Sequence, residues 1–445
     1  MAVKFSAKEL FMFQLSMTPT LQKAFDILER GTDHVFITGK AGTGKSTLLM
    51  KYRQKIQQLG GDLVVLAPTG VAALNVEGQT IHSFFGFAPN ISSEEVAVEA
   101  RRRRNKELYR ALVEIVIDEI SMVRSDLLDF IDVFLQTVRQ SPLPFGGVRM
   151  IFFGDLYQLP PVVTNHERAE FAQLYKTPFF FGSKVMQRIQ QESLFEGLQV
   201  IELDHIFRQQ DSRFIDILNA VRTQTATRDH LDHLNSRVNA DIDFSQAIIL
   251  TGRRDSADRL NQIHLSDLES MGQEYLGTIS GKFSRGYLPT QEKLVLKAGA
   301  RVMFVANDPH KRWVNGTLGT VIKTSSSEVM VRIDNGELET VSPYTWELSK
   351  MVFNSLTGQL ERETLGSFKQ LPITVAHAVT IHKAQGKTFD YSVVDLSHGA
   401  FAYGQTYVAL SRSTSLEGLS LTSPILERHI LMDPTIVTFM RDYAL

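Results

Sequence analysis

Short, nearly continuous apolar runs recur from about Met17 to about Pro161, each followed by a polar or Gly-containing loop and then a helical stretch. The runs are Val35-Phe36-Ile37, Val64-Val65-Leu66, Ile115-Val116-Ile117 and Met150-Ile151-Phe152-Phe153. None alternates with polar residues. Each therefore predicts a strand covered on both faces, as in a parallel sheet flanked by helices. Ligands of such sheets gather at the carboxyl ends of the strands, so the residues after each run are the first candidates for chemistry. A second strand–helix set has Ala247-Ile248-Ile249-Leu250, Ile373-Thr374-Val375 and Ser392-Val393-Val394 as its best strands. Between Leu294 and about Gly366 the character changes. Val329 to Ile333, the turn Asp334-Asn335-Gly336 and Glu337 to Val341 predict a β-hairpin. The fold class is α/β, with a small all-β module inserted into the second of two α/β units.

Composition narrows the classes further. The chain has 445 residues, 43% hydrophobic and 22% charged, which suits a folded soluble protein of roughly three domains. A net charge of −2 excludes a uniformly basic, histone-like protein but leaves room for a local basic groove. Arg101 to Arg104, with Lys106 and Arg110, is the one dense charge run. The absence of cysteine excludes disulfides, thiolate metal sites, iron–sulfur clusters and cysteine nucleophiles. No apolar run reaches the length of a membrane span. Lys4, Lys8 and Glu9 interrupt any signal-peptide core, and the absence of arginine from the first 18 residues argues against a transit peptide. The expected setting is cytoplasmic.

The chemistry lies in ordered motifs. Gly39-Lys40-Ala41-Gly42-Thr43-Gly44-Lys45-Ser46 fits G-x-x-x-x-G-K-[ST] and stands between a strand and the helical Thr47-Leu48-Leu49. Its glycines let backbone N–H groups converge on phosphates, Lys45 neutralises the β- and γ-phosphates, and the Ser46 hydroxyl ligates Mg²⁺. Asp118-Glu119 closes the third strand: the first acid is placed for Mg²⁺ and the second for the attacking water. The guanine-reading Asn-Lys-x-Asp is missing, since Asn105-Lys106 is followed by Glu107-Leu108. Further on stand Gly154-Asp155-Leu156-Tyr157-Gln158-Leu159-Pro160-Pro161-Val162, His205-Ile206-Phe207-Arg208-Gln209-Gln210-Asp211, Thr380-Ile381-His382-Lys383-Ala384-Gln385-Gly386 and Tyr407-Val408-Ala409-Leu410-Ser411-Arg412.

In this order the motifs resemble those of superfamily 1 helicases of the 5′→3′ branch, and most closely the Pif-one family of DNA helicases. The resemblance runs from about Leu15 to about Leu419. It implies two RecA-like P-loop domains with ATP between them, a small wedge insertion and an SH3-like β insertion. The corresponding ranges are 1–200 for the first domain (wedge about 76–112), 201–293 with 367–445 for the second, and 294–366 for the β insertion. It implies an ATP- and Mg²⁺-dependent DNA helicase that translocates 5′→3′ on single-stranded DNA. The alternative is a translocase that displaces proteins with little unwinding. Lys45, Asp118, Glu119, Gln158, Arg208 and Arg412 match the family's catalytic set. Gly39, Ala41, Gly42, Thr43, Gly44, Ser46, Thr47 and Gly386 match its nucleotide contacts, and Gln22 its adenine reader. Gln385 falls where the family contacts nucleotide or couples it to DNA.

The resemblance also implies a DNA track across both domains: Pro68, Thr69 and Gly70, then His82 and Phe84, in the first, and Thr251, Thr380, His382 and Lys383 in the second. The triplet Thr-Ile-His occurs in each, at Thr80-Ile81-His82 and Thr380-Ile381-His382, and predicts two equivalent phosphate grips. Phe84, Phe85 and Phe87 are read either as base-stacking or as core, Phe179-Phe180-Phe181 as core, and the arginine run as either a phosphate contact or a solvated face. The family often has Asn near Arg253, a departure here. The expected partners are single-stranded and forked or tailed duplex DNA, with G-quadruplexes and RNA–DNA hybrids left open. A monomeric, nucleoid-associated, bacterial-type motor core is expected.

Overall fold

The computed structural model describes residues 17–88, 91–191 and 197–443; the reading of Lys4, Lys8 and Glu9 lies outside them. The strands of the first sheet are β1 (His34–Gly39), β2 (Val64–Ala67), β3 (Gln79–Thr80), β4 (Glu114–Ile117), β5 (Arg149–Phe153) and β6 (Leu198–Leu203). They form one parallel sheet in the order β3-β2-β4-β5-β1-β6. Every residue of β1, β2 and β5 is buried. The sheet is covered on both faces, which is why its sequence shows runs rather than alternation. One apolar layer contains Leu48, Leu49 and Tyr52 of the helix Lys45–Gln58; the opposite layer contains Phe134, Leu135 and Phe180.

Strand β7 (Ile248–Thr251) opens the second unit, and a β-rich region follows it. Its strands are β8 (Gln273–Leu276), β9 (Thr278–Gly281), β10 (Lys293–Leu296), β11 (Arg301–Phe304), β12 (Leu318–Thr324), β13 (Val329–Ile333), β14 (Leu338–Val341), β15 (Tyr344–Asn354), β16 (Gln359–Gln370) and β17 (Ile373–Val375). The β13–β14 hairpin closes with Gly336 at φ +93°, a left-handed turn position that glycine adopts freely. β-pairing extends past 294–366 at both ends, because β8 pairs with β10, β9 with β16, and β17 with β11.

That last pairing is a correction. Ile373-Thr374-Val375 is not a strand of the second α/β sheet but the edge of an antiparallel five-stranded sheet, β14-β13-β12-β11-β17. The chain passes Ala376-His377 and only then forms β18 (Ala378–Thr380). Together with β19 (Ser392–Asp395) and β20 (Leu419–Leu421), this gives the parallel order β18-β7-β19-β20. The long β15–β16 hairpin reaches back to the first unit, where Met351 joins the core of the first sheet and Arg362 pairs with Asp62 at 3.0 Å. Among the described residues no helix is long and apolar enough to cross a membrane.

Candidate nucleotide cleft and nucleic-acid edge

β1 runs directly into the glycine-rich loop. Gly42 and Gly44 have φ of +81° and +90°, and Gly44 caps the helix Lys45–Gln58, so the loop wraps the helix N-terminus. A cavity of about 490 Å³ opens there. It is lined by the loop from Ala41 to Thr47, by Asp118, Glu119 and Gln158, and across the cleft by Arg208, Gly386 and Arg412. The residues expected to serve ATP thus converge, with two exceptions. Gly39 lies behind the loop as the last residue of β1. Gln22 is exposed on the helix Pro19–Arg30, where its amide donates to Asp26 at 2.8 Å, and it lines a separate surface hollow.

Burial works against every charge in this cleft. Lys45 Nζ donates to the carbonyls of Gly39 (2.6 Å) and Lys40 (3.0 Å), yet burial lowers its pKa despite Asp155 and Glu119 nearby. Burial, then the Glu119 carboxylate, pushes Asp118 up to about 7. Burial also raises Glu119, whose backbone is left-handed at φ +51° and whose carboxylate accepts from Gln385 Nε2 at 3.0 Å. Arg412, 1% exposed, is brought down to about 10 by burial. Its guanidinium is aimed by Val408 O (2.8 Å), Lys387 O (3.2 Å) and Ser411 Oγ (2.7 Å). Arg208 is brought down to about 9 by burial and by Arg412; one of its nitrogens donates to Ser411 O at 2.9 Å, and its Nε has no partner among the described residues. Three cations pressed together in low dielectric make a site for a polyanion.

Several contacts across the cleft carry no sequence signal. The Ala41 N–H donates to the Tyr407 hydroxyl at 3.0 Å. Arg222, at the end of the helix Ser212–Arg222, pairs with Asp155 at 3.1 Å and lies 4.0 Å over the Tyr157 ring. Asp155 belongs to a motif that sequence reading singled out, but its partner stands 67 residues away. Asn315, in the β11–β12 loop, donates to Asn75 at 2.7 Å and accepts from Lys387.

The edge expected to hold nucleic acid is built twice. Thr80 sits beside Ala67 at the ends of β3 and β2, and Thr380 beside Thr251 at the ends of β18 and β7. Thr80 has φ −74° and ψ 148° and accepts from Ser83 N at 3.2 Å; Thr380 has φ −73° and ψ 148° and accepts from Lys383 N at 3.3 Å. The repeated triplet therefore has the same local form in both units. Thr69 caps the helix Gly70–Asn75 in the same way, beside Pro68. His382 and Lys383 are exposed and His82 is half-buried.

Phe84 is a correction to the expected DNA contacts. Its ring is buried against Phe85 and Tyr109, and Phe85 and Phe87 are buried with it, because the short helices of the 76–112 insertion need an apolar core. Phe179, Phe180 and Phe181 are core as expected. In the arginine run, Arg101, Arg102 and Arg104 face solvent, whereas Arg103 turns in to Tyr109 and the Phe84 carbonyl.

Two parallel-sheet units, a phosphate loop and a pair of arginines facing it across a cleft define a P-loop nucleoside triphosphatase motor of the tandem RecA-like kind. Residues 20–230 match the model of the PIF1-like helicase family. The chain is 33% identical to the ATP-dependent DNA helicase Pif1 of Bdellovibrio bacteriovorus over 97% of its own length and 93% of that protein's. It is 33% identical to the ATP-dependent DNA helicase PIF1 of Xenopus laevis, over 87% of its own length and 58% of that longer protein's. The structure of Bacteroides sp Pif1 in complex with ADP-AlF4 is similar at a TM-score of 0.85 and 36% identity, covering 97% of each chain. Bacteroides Pif1 bound to ssDNA is similar at 0.66, with the same identity and coverage. The chain belongs to the PIF1-like helicase family and is an ATP-dependent DNA helicase.

Proposed function

We propose that this helicase moves 5′→3′ on single-stranded DNA and opens tailed or forked duplexes, with ATP hydrolysed between the two parallel-sheet units. The observation that carries this reading is the single cavity lined by Lys45, Asp118, Glu119 and Gln158 from one side and by Arg208 and Arg412 from the other. Lys45 compensates β- and γ-phosphate charge, and Glu119 orients the attacking water. Gln158 senses the γ-phosphate, and the two arginines stabilise charge on the transferring group only when the cleft is closed. Hydrolysis is thereby tied to relative motion of the units. Mg²⁺ fits the Ser46 hydroxyl and the Asp118 carboxylate, a sparse donor set suited to an ion that keeps water and phosphate ligands. When bound it supplies charge neutralisation on the phosphates.

The two Thr-Ile-His corners, with Thr69 and Thr251 beside them, serve as alternating phosphate grips. Residues to about 203 form the nucleotide-loop unit, to which the last helix, Pro434–Asp442, returns through Ile436 and Phe439; those from about 204 to 267 and 378 to 433 form the second, and the β-rich region between them covers the track. The motor works as a monomer in a cytoplasmic, nucleoid-associated setting. Matched duplexes with a 5′ or a 3′ single-stranded tail test the reading. Unwinding from the 5′ tail alone is expected, with ATPase stimulated by single strands. Stimulation without unwinding from either tail would favour the protein-displacing translocase, a reading that the burial of Phe84, Phe85 and Phe87 keeps alive by leaving those rings unable to act as a separating pin.

A further inference from the structure

The ends of β18, β7 and β19 lie side by side, with Thr380 opposite Thr251 and Thr251 opposite Asp395. The segment after β19 rises from this edge and carries two exposed aromatics, Phe401 (60% exposed) and Tyr403 (42%). A lone exposed phenylalanine is common and by itself means little. This one is held in place. Its backbone N–H donates to Gln405 Oε1 at 2.9 Å, and Gln405 is fully buried. The other end of that amide, Nε2, has no partner among the described residues and faces Gly252. A Cβ at Gly252 would come within 3.0 Å of Gln405 Nε2 and 3.1 Å of the Phe401 ring. The ring is thus presented against the backbone that follows Thr251. Exposed cations flank it on the same edge: Arg253 after Gly252, and Lys383 after Thr380. The one acid there, Asp395, accepts from Ser397 N (3.1 Å) and Thr422 Oγ1 (3.0 Å).

We propose that Phe401 is a base-stacking residue of the second unit, receiving one base of the single strand whose phosphates are held at Thr251 and Thr380. The proposal rests on the DNA track described above and adds to it an aromatic plane, the Phe401 ring, set against the backbone after Thr251. Hydroxyls and cations hold a strand by its backbone; an aromatic face holds any base, which suits a motor that must step through all sequences. The same loop touches the γ-phosphate sensor. Gly404 has φ +69° and packs so tightly that a Cβ there would lie 2.3 Å from Gln158 O and 2.4 Å from Tyr157 O. Movement of Gln158 on ATP binding would be passed through Gly404 to Phe401, three residues away, so the grip on the base follows the state of the nucleotide.

The test is binding of the full chain to fluorescein-labelled oligothymidylate at several salt concentrations, for wild type, Phe401→Ala and Phe401→Trp. Stacking on one base gives Phe401→Ala a Kd about tenfold weaker, with an unchanged salt slope because no phosphate contact is lost. Phe401→Trp should bind as tightly as wild type, and its new fluorescence should be quenched by the oligomer; Trp313 and Trp346, both buried, form the background. An abasic strand should bind wild type and Phe401→Ala equally. Unchanged affinity in Phe401→Ala, or an equal loss on the abasic strand, overturns the proposal. Wild type that fails to bind any single strand would instead remove the DNA track on which the proposal rests, and Phe401 with it.

Discussion

Arg222 offers the sharpest test of how the cleft closes. Its helix packs through Phe214, Ile217 and Val221 into the core of the second unit, whereas Asp155 follows β5 of the first. The ion pair at 3.1 Å therefore forms between units, with side-chain exposures of 5% and 0%. Asp155 also accepts from Tyr157 N (3.2 Å) and Gln158 Nε2 (3.3 Å), so the pair anchors the loop that carries Gln158. Replacing Arg222 with Met keeps the helix and much of the packing but leaves Asp155 buried without its cation. Breaking one side of a buried pair costs about 3–5 kcal/mol. The cost falls on the closed arrangement, because an open cleft lets water reach the carboxylate. About 4 kcal/mol is nearly a thousandfold in the closing equilibrium, of which Glu202, 3.4 Å from Arg222, alters little because it is half-exposed. Steady-state ATPase at saturating single-stranded DNA should show kcat lowered by about 10²–10³. Asp155→Asn in the same background removes the stranded charge and should restore at least tenfold. Equilibrium unfolding of each variant separates cleft closure from loss of fold. A single variant within threefold of wild type, or a double variant whose losses simply add, would refute the argument.

Other expectations follow from the same structure. Glu119→Gln should still bind ATP, keeping the amide contact with Gln385, but hydrolyse it about 10²–10³ times more slowly; an unchanged kcat would remove Glu119 from water activation. Because the two Thr-Ile-His corners share one geometry, His82→Ala and His382→Ala should weaken single-strand binding to a similar degree in a filter-binding or anisotropy titration; an effect from one alone would break the pairing. His34 is 3% exposed and its Nδ1 accepts from Met150 N at 3.0 Å. Burial lowers its pKa to about 4, so its neutral form contributes stability fully above the unfolded value of about 6.5 and loses it as the pH falls towards 4. At pH 5 the loss is about 2 kcal/mol by linkage. His34→Asn, which retains an acceptor but no titrating ring, should show a smaller drop in urea midpoint between pH 7.5 and 5 than wild type; equal drops would show that His34 does not titrate on unfolding.

What could be read from the sequence was what is local along the chain. The phosphate loop, Asp118-Glu119 and the Thr-Ile-His corners are each set by a few consecutive residues; the glycine loop and the Thr-Ile-His corners adopt the backbone their sequence favours, whereas Glu119 is held left-handed at φ +51°. The strands β1, β2, β4 and β5 are legible because burial on both faces leaves an apolar run. Ile373-Thr374-Val375 misleads because a buried edge strand of an antiparallel sheet has the same local composition as a parallel one. Only pairing with β11 distinguishes them, and that depends on residues some 70 positions away. Phe84 misleads for a related reason: an aromatic beside a phosphate grip can serve either a strand or a small core, and the insertion of short helices has little else to fill its interior. Arg222 with Asp155, Tyr407 with Ala41, and Gln385 with Glu119 were invisible because no local rule fixes how one unit docks on another.

Those unreadable contacts share a physical purpose. In the cleft, burial pulls Lys45, Arg208 and Arg412 down and pushes Asp118 and Glu119 up, so each charged form is held against its solvation preference. Such a set persists because interactions formed elsewhere sustain it, and here they are the contacts between units: a hydroxyl on the Ala41 N–H, an amide on Glu119 and an ion pair on Asp155. A triphosphate answers the cations directly, so its arrival relieves the strain on one side of the ledger and frees the cross-cleft contacts to rearrange. On the proposed reading, loss of the γ-phosphate would take that compensation away from Arg208 and Arg412, which line the cavity from the second unit together with Gly386. The side of the cleft that would feel the change is the one that carries Thr251, Thr380 and the loop of Phe401. On the proposed reading, force would reach the DNA track through the difference between a charged cleft with its polyanion and the same cleft without it.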